Sequence, residues 1–184
     1  EIPLRLVGSE MCIRDRNDVG TKYILPSSVD LSTSPCFPPI GDQKSLGSCA
    51  SYATTYYQYT YEVNKLNHVN SESDRVIYSP KWTYNFANNG YNSGTTLTNN
   101  YKVLMSLGCL KNNDFPYTGN SSNYIEWASG LEDEKIEALQ TRITKINKYE
   151  IPVNSNISSP SSTALQGLKN ILNEGKIVVT STRC

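Results

Sequence analysis

The chain has 184 residues, 38% of them hydrophobic and 18% charged, and its 17 Lys and Arg balance its 17 Asp and Glu. That length suits one compact domain or most of a two-lobed one. Balanced charge without a basic stripe gives no field to draw nucleic acid or an anionic membrane surface, and no apolar run approaches the roughly 20 residues that span a bilayer.

Residues 1–16 fit nothing that follows. The string from Leu6 to Arg16, LVGSEMCIRDR, resembles a translated sequencing-adapter remnant, so the segment is read as non-native and Cys12 is set apart with it. A charged start followed by an apolar core, the mark of a secretory signal, is not identifiable. Between 23 and 48, Pro26, Pro35, Pro38 and Pro39 block helix and keep the chain irregular. A helical pattern then starts, with Ser48 as N-cap and Cys49 in the first turn. Tyr52, Tyr56, Tyr59, Val63 and Leu66 form one stripe that fades near Asn67–Asn70.

A short helix is predicted around Pro80–Phe86, and Asn88 to Gly94 is a strong turn signal. A second long helix is expected over Thr95–Leu107, with Leu97, Tyr101, Leu104 and Met105 inward and Gly108 as a left-handed cap. Phe115-Pro116-Tyr117 marks an extended exit. Farther on, Leu131–Leu139 reads as a charged helix, Arg142–Val153 as a strand and Asn154–Ser162 as a loop. Thr163–Asn173 reads as a helix with Leu165, Leu168, Ile171 and Leu172 inward and Gly175 as its stop, and Ile177–Val179 as a buried strand. Helices first and strands later indicate α+β with separated lobes: a helical lobe over 17–118 and the beginning of a β-rich lobe over 119–184.

Cys36, Cys49, Cys109 and Cys184 match no zinc pattern, since no Cys-x-x-Cys pair occurs and His68 is the single histidine. Neither a metal nor a cofactor is expected. Disulfide partners and redox compartment stay open. The 13 tyrosines suit half-buried faces and the walls of a binding groove.

Cys49 occupies a position with chemical meaning. The nucleophilic form of a cysteine is the thiolate, and the unpaired N–H groups at a helix start favour an anion. Gly47 allows close approach of backbone or substrate. The N–H of Cys49 offers one donor to a developing oxyanion, and the side-chain amide of Gln43, six residues upstream, offers a second. On spacing alone, a cysteine at a helix start is more often a small buried filler, and Gln43 an ordinary loop residue.

The segment Leu25-Pro26-Ser27-Ser28-Val29-Asp30, followed by Gly41-Asp42-Gln43 and Gly47-Ser48-Cys49, resembles the start of a mature papain-like cysteine peptidase. Tyr91-Asn92-Ser93-Gly94-Thr95 falls where that family has an Asn-Gly-Gly turn, and Phe115-Pro116-Tyr117 is similar to its Tyr-Pro-Tyr element. The resemblance implies the family's two-lobed fold, with the helical lobe present and the β-rich lobe incomplete. It implies Cys49 as attacking thiolate and Gln43 as oxyanion donor. A peptide or protein substrate would lie along Gly47, Ser48, Asn92, Ser93 and Gly94. A secreted or lysosome- or vacuole-like setting is a family implication only.

Three departures stand out. Leu46 replaces a cysteine that the family pairs to one beside the glycine turn, where this chain has none; Ala50 replaces an aromatic; Ser93 replaces a glycine. The family's histidine and asparagine lie roughly 130–150 residues after the cysteine, a window that opens near position 179 of this chain. His68 is no substitute, at about five turns, roughly 27 Å, along the helix from Cys49. The expectation is a cysteine peptidase of which these residues alone give no turnover; the competing expectation is a non-catalytic papain-fold peptide binder.

Overall fold

The computed structural model describes residues 25–124, 131–147 and 162–181. Residues 1–16, the 148–153 part of the expected strand, the 154–161 loop and Cys184 lie outside the described residues.

The chain enters as irregular structure and turns into helix at Cys49, as the proline pattern requires. Three abutting segments, α-helical Cys49–Ser51, π-helical Tyr52–Tyr59 and α-helical Thr60–Leu66, make one rod, α1 (49–66). The π segment was not legible in the periodicity. Its wide turns close through the Thr60 N–H bonding the Thr55 carbonyl five residues back, and the Thr60 hydroxyl donates to the same oxygen at 3.2 Å. The Thr54 hydroxyl donates to the Ala50 carbonyl at 2.8 Å. Such hydroxyl back-bonding competes with the α-helical ladder and distorts it. At the far end Asn67 closes α1, and His68 takes φ +55 while its N–H donates to the Lys65 carbonyl at 3.1 Å.

Pro80–Ala87 forms α2, with Pro80 in its first turn, where no partner for an N–H is needed, and with the Ser79 side chain accepting from the Trp82 N–H. Leu97–Leu107 forms α3, capped by the Thr96 side chain accepting from the Asn99 N–H. Glu132–Gln140 forms α4 with three acidic residues in its first turn, and Ser162–Asn173 forms α5. Between α2 and α3 the 88–96 loop is the turn that its Asn and Gly residues predict. Asn89 takes φ +54, and the Asn88 side chain accepts from the Gly90 N–H.

The core joins α1, α2, α3 and α4. Tyr59, Val63, Tyr78, Trp82, Val103, Leu104, Leu110 and Phe115 are buried together, with Ala138 of α4 closing the cluster. Tyr59 and Tyr78 meet edge to face at 4.8 Å between ring centres. Inward placement differs from the pattern at two helices. Met105 is 40% exposed because Val103 and Leu104 take the inner face of α3, and Leu165 is likewise 40% exposed while Ile171 carries the buried face of α5.

α1 is buried on more sides than its apolar stripe predicts. Ser51, Thr54, Thr55, Thr60 and Asn64 are all sealed from solvent. Their polar groups find partners inside: Ser51 donates to Asn100 Oδ1 at 2.5 Å and Thr55 pairs with Thr83 at 2.7 Å. A buried hydroxyl that is hydrogen-bonded costs little, whereas an orphaned one costs about 1–3 kcal/mol. The modest hydrophobic share of the chain thus still builds an interior.

The two expected strands are corrected by the structure over their described residues. Among the described residues no strand occurs, and the one pairing is an isolated antiparallel bridge between Tyr78 and Lys111. Residues 142–147 are irregular. Ile177–Val179 has no regular secondary structure and joins no ladder, and Val178 is 40% exposed. This segment is instead fastened to α1 by side chains: Gln58 Nε2 donates to the Ile177 carbonyl at 2.8 Å and the Tyr61 hydroxyl to the Gly175 carbonyl at 3.0 Å.

The packing of so many phenols has a measurable consequence. Burial raises Tyr52, Tyr59 and Tyr78 well above the ordinary tyrosine value and pushes Tyr101 up to about 12. Above pH ~10, where an unfolded tyrosine ionises, the fold therefore holds more protons than the unfolded chain. Stability present in full below that pH falls as pH rises through the folded values. Phenolate absorbance followed together with helical circular dichroism is expected to show some tyrosines titrating freely and the rest only as helix is lost. Smooth titration of all 13 with the helix signal intact would contradict the packing described.

Candidate functional site

Cys49 is the first residue of α1, and among the described cysteines it alone is exposed; Cys36 and Cys109 are buried, and all three are free thiols. Being first in the helix leaves its own N–H without an intrahelical acceptor. The sequence reading of Ser48 as N-cap is corrected in one respect. Ser48 does precede the helix, but its side chain makes no capping bond. It sits 2.5 Å from the Tyr117 hydroxyl.

Gly41, Asp42, Gln43, Cys49, Tyr52, Ala53 and Tyr57 line an open concavity of about 430 Å³. Gln43 and Cys49, paired on sequence spacing, thus both line this concavity. The Gln43 side chain lies along the turn that leads into the helix, with Nε2 donating to the Leu46 carbonyl at 3.2 Å. That carbonyl also accepts from the Ser48 N–H at 2.8 Å. A primary amide carries two N–H donors, and one of them is spent on the Leu46 carbonyl.

The 88–96 loop packs against Gly47, two residues before Cys49. Gly47 and Gly94 pass so closely that a Cβ on Gly47 would stand 2.9 Å from the Gly94 nitrogen, a contact only a residue without a side chain permits. The Gly47 N–H donates to Asn92 Oδ1 at 2.9 Å, and the Tyr84 hydroxyl donates to the same oxygen at 2.6 Å. The side chain of Asn92 therefore binds the two loops together, and Asn92 and Ser93 are exposed.

Ser48 does not belong with the substrate-facing residues: it is 0% exposed. Tyr117 has a single hydroxyl hydrogen, which it gives to the Gln43 carbonyl at 2.6 Å. The Ser48 hydroxyl must then be the donor in its contact with Tyr117. His68 lies exposed at the opposite end of α1 from Cys49. Among the described residues no group of three or more His, Cys, Asp and Glu is placed to hold a metal ion.

Sequence reasoning missed the part played by phenols. The Tyr57 hydroxyl accepts from the Gly41 N–H at 3.1 Å, and the Tyr52 hydroxyl donates to the Asp42 carbonyl at 2.9 Å. The high tyrosine count pointed to groove walls in general, but nothing in the periodicity distinguishes a tyrosine that lines a core from one that holds a loop.

Neither a protein-family model nor a curated protein sequence matches the chain. Among solved structures, the crystal structure of xylellain, a cysteine protease from Xylella fastidiosa, is similar with a TM-score of 0.60 at 20% sequence identity, covering 82% of this chain and 54% of that one. The chain thus spans about half the length of xylellain, and what the two share is the fold. The helix-rich architecture is consistent with a partial papain-like fold.

Proposed function

We propose that this chain carries the nucleophile-bearing part of a cysteine peptidase that hydrolyses peptide bonds through a thioester. The observation that carries the proposal is the exposed Cys49 thiol at the start of α1, on the wall of a concavity shared with the Gln43 amide. Likeness of fold to a cysteine protease supports it.

In this reading the Cys49 thiolate attacks the carbonyl carbon of an extended peptide lying beside Gly94. The C–S bond forms and the carbonyl π pair moves to oxygen. The Cys49 N–H and the free N–H of Gln43 hold that oxyanion. Collapse of the intermediate breaks the C–N bond, and the amine leaves with a proton from a general acid. Water then hydrolyses the thioester, releasing the acid and restoring the thiol. The acid–base group has to come from outside these residues: the one histidine, His68, is at the wrong end of the helix.

A peptide-binding protein without turnover is the second reading, favoured by the Ala50 and Ser93 departures. Labelling separates the two. A peptidyl epoxide is expected to modify Cys49 faster than iodoacetamide does at equal concentration, and free peptide is expected to slow it. Cys36 and Cys109, 6% and 2% exposed, should stay unmodified until denaturant is added. Peptide mapping by mass spectrometry reads all three; equal, unprotected reaction of Cys49 with both reagents rejects the peptidase reading.

A further inference from the structure

We infer that Tyr52, Tyr57 and Tyr117 are positioning residues that aim the Gln43 amide, an inference that rests on the oxyanion role proposed for Gln43. Three consecutive residues of the incoming loop are each fastened by a different phenol. The Gly41 N–H donates to Tyr57, Tyr52 donates to the Asp42 carbonyl, and Tyr117 donates to the Gln43 carbonyl, at 3.1, 2.9 and 2.6 Å. The backbone of Gly41 lies so tightly against the rings that a Cβ there would come within 2.7 Å of Tyr52 and 2.9 Å of Tyr56.

The phenols belong to separate parts of the chain and form one assembly. Tyr52 and Tyr57 stand on the π segment of α1, within a turn or two of Cys49, so the loop is referenced to the helix that carries the thiol. Tyr117 comes from the segment after α3. Its ring meets the Tyr52 ring edge to face, 4.9 Å between centres at 88°, and its oxygen accepts the hydroxyl hydrogen of the buried Ser48, the residue before Cys49. One phenol thereby touches both the backbone of Gln43 and the residue adjoining the nucleophile. Loops are the mobile part of most sites, and an oxyanion donor is effective only when held near 3 Å of where charge develops. Hydrogen bonds at each successive residue remove the freedom that would blur that aim.

A purely structural role would lower stability and leave the site's preference untouched, so the test separates two reactions at Cys49. Alkylation by iodoacetamide creates no oxyanion. Binding of a peptidyl aldehyde does, because the Cys49 thiolate adds to its carbonyl carbon, the S–C bond forms as the π pair moves to oxygen, and the thiohemiacetal is formed as an alkoxide. In the intact chain, Gln43→Ala is expected to weaken aldehyde binding on the order of 10²-fold and to leave the alkylation rate unchanged. Tyr52→Phe, Tyr57→Phe and Tyr117→Phe, which keep the rings, are each expected to weaken aldehyde binding about fivefold. They should also leave alkylation unchanged, and produce no additional loss when combined with Gln43→Ala.

Additive losses in the double variants, or full aldehyde affinity in all three phenylalanine variants, overturn the inference. Unchanged affinity in Gln43→Ala, or no aldehyde binding by the unaltered chain, instead defeats the oxyanion role on which it rests. Amide hydrogen exchange at residues 41–43 is independent of binding. It should accelerate in each phenylalanine variant, and exchange at the unaltered rate rejects the clamp outright.

Discussion

Gly108→Ala is expected to unfold the protein or to leave it only marginally folded. Gly108 ends α3 with φ +66 and ψ −151, a region that essentially glycine alone occupies, not the left-handed helical cap that its position predicts. An added Cβ would lie 1.7 Å from the Ala138 carbonyl oxygen and 2.7 Å from its carbon. These are backbone atoms of α4 and cannot rotate away, so α3 and α4 would have to separate. Separation would strip cover from Leu104 and Ala138, and it would strain the bond from the Trp82 indole to the Gly108 carbonyl at 3.1 Å. The loss should be on the order of 4 kcal/mol, against a total of about 5–15 kcal/mol for a typical domain. Gly90→Ala is the control. Gly90 also has positive φ, +80, but nothing lies within 4 Å of a Cβ there, so its cost should be limited to about 1 kcal/mol of backbone strain. Urea unfolding followed by circular dichroism compares the two; equal midpoints would refute the steric account.

In a protein that contains this chain together with its acid–base group, Gln43→Ala is expected to lower kcat by about 10²–10³ with little change in KM. The reason lies in timing. In the proposed mechanism the ground-state carbonyl gains little from the amide, whereas the charged oxygen of the intermediate gains much, so loss of the donor falls on the chemical step. Cys49→Ala should abolish hydrolysis altogether, because no covalent intermediate is available. A rise in KM with kcat preserved would make Gln43 a binding residue, and residual thioester chemistry in Cys49→Ala would place the nucleophile elsewhere. Both are read from steady-state kinetics on a peptide substrate.

How much of this was legible depends on the kind of signal. Cys49 at a helix start and Gln43 on the approach were readable because proline placement, helical periodicity and a six-residue step are local properties. The bounds expected for α2 and α3, Pro80–Phe86 and Thr95–Leu107, fall within two residues of those observed. The π-helical stretch was not, because it arises from hydroxyls bonding carbonyls within a buried rod, and a threonine on the sequence page does not say which acceptor it will choose. The stripe of Leu165 and Met105 was over-read for a related reason: amphipathic spacing marks a face without saying whether anything covers it. Ile177-Val178-Val179 has the composition of a strand, but a strand exists only by pairing, and among the described residues the segment is held by side chains of α1.

The tie between Gly47 and Asn92 has a redox corollary. A sulfur nucleophile serves only while reduced, and the thiols that protect it from oxidation also attack disulfides. Here the 88–96 loop and the segment leading to Cys49 are joined by an asparagine oxygen that accepts hydrogen bonds from a peptide N–H and from Tyr84, and the described cysteines are all unpaired. A strongly reducing milieu therefore shields Cys49 without breaking that tie beside it.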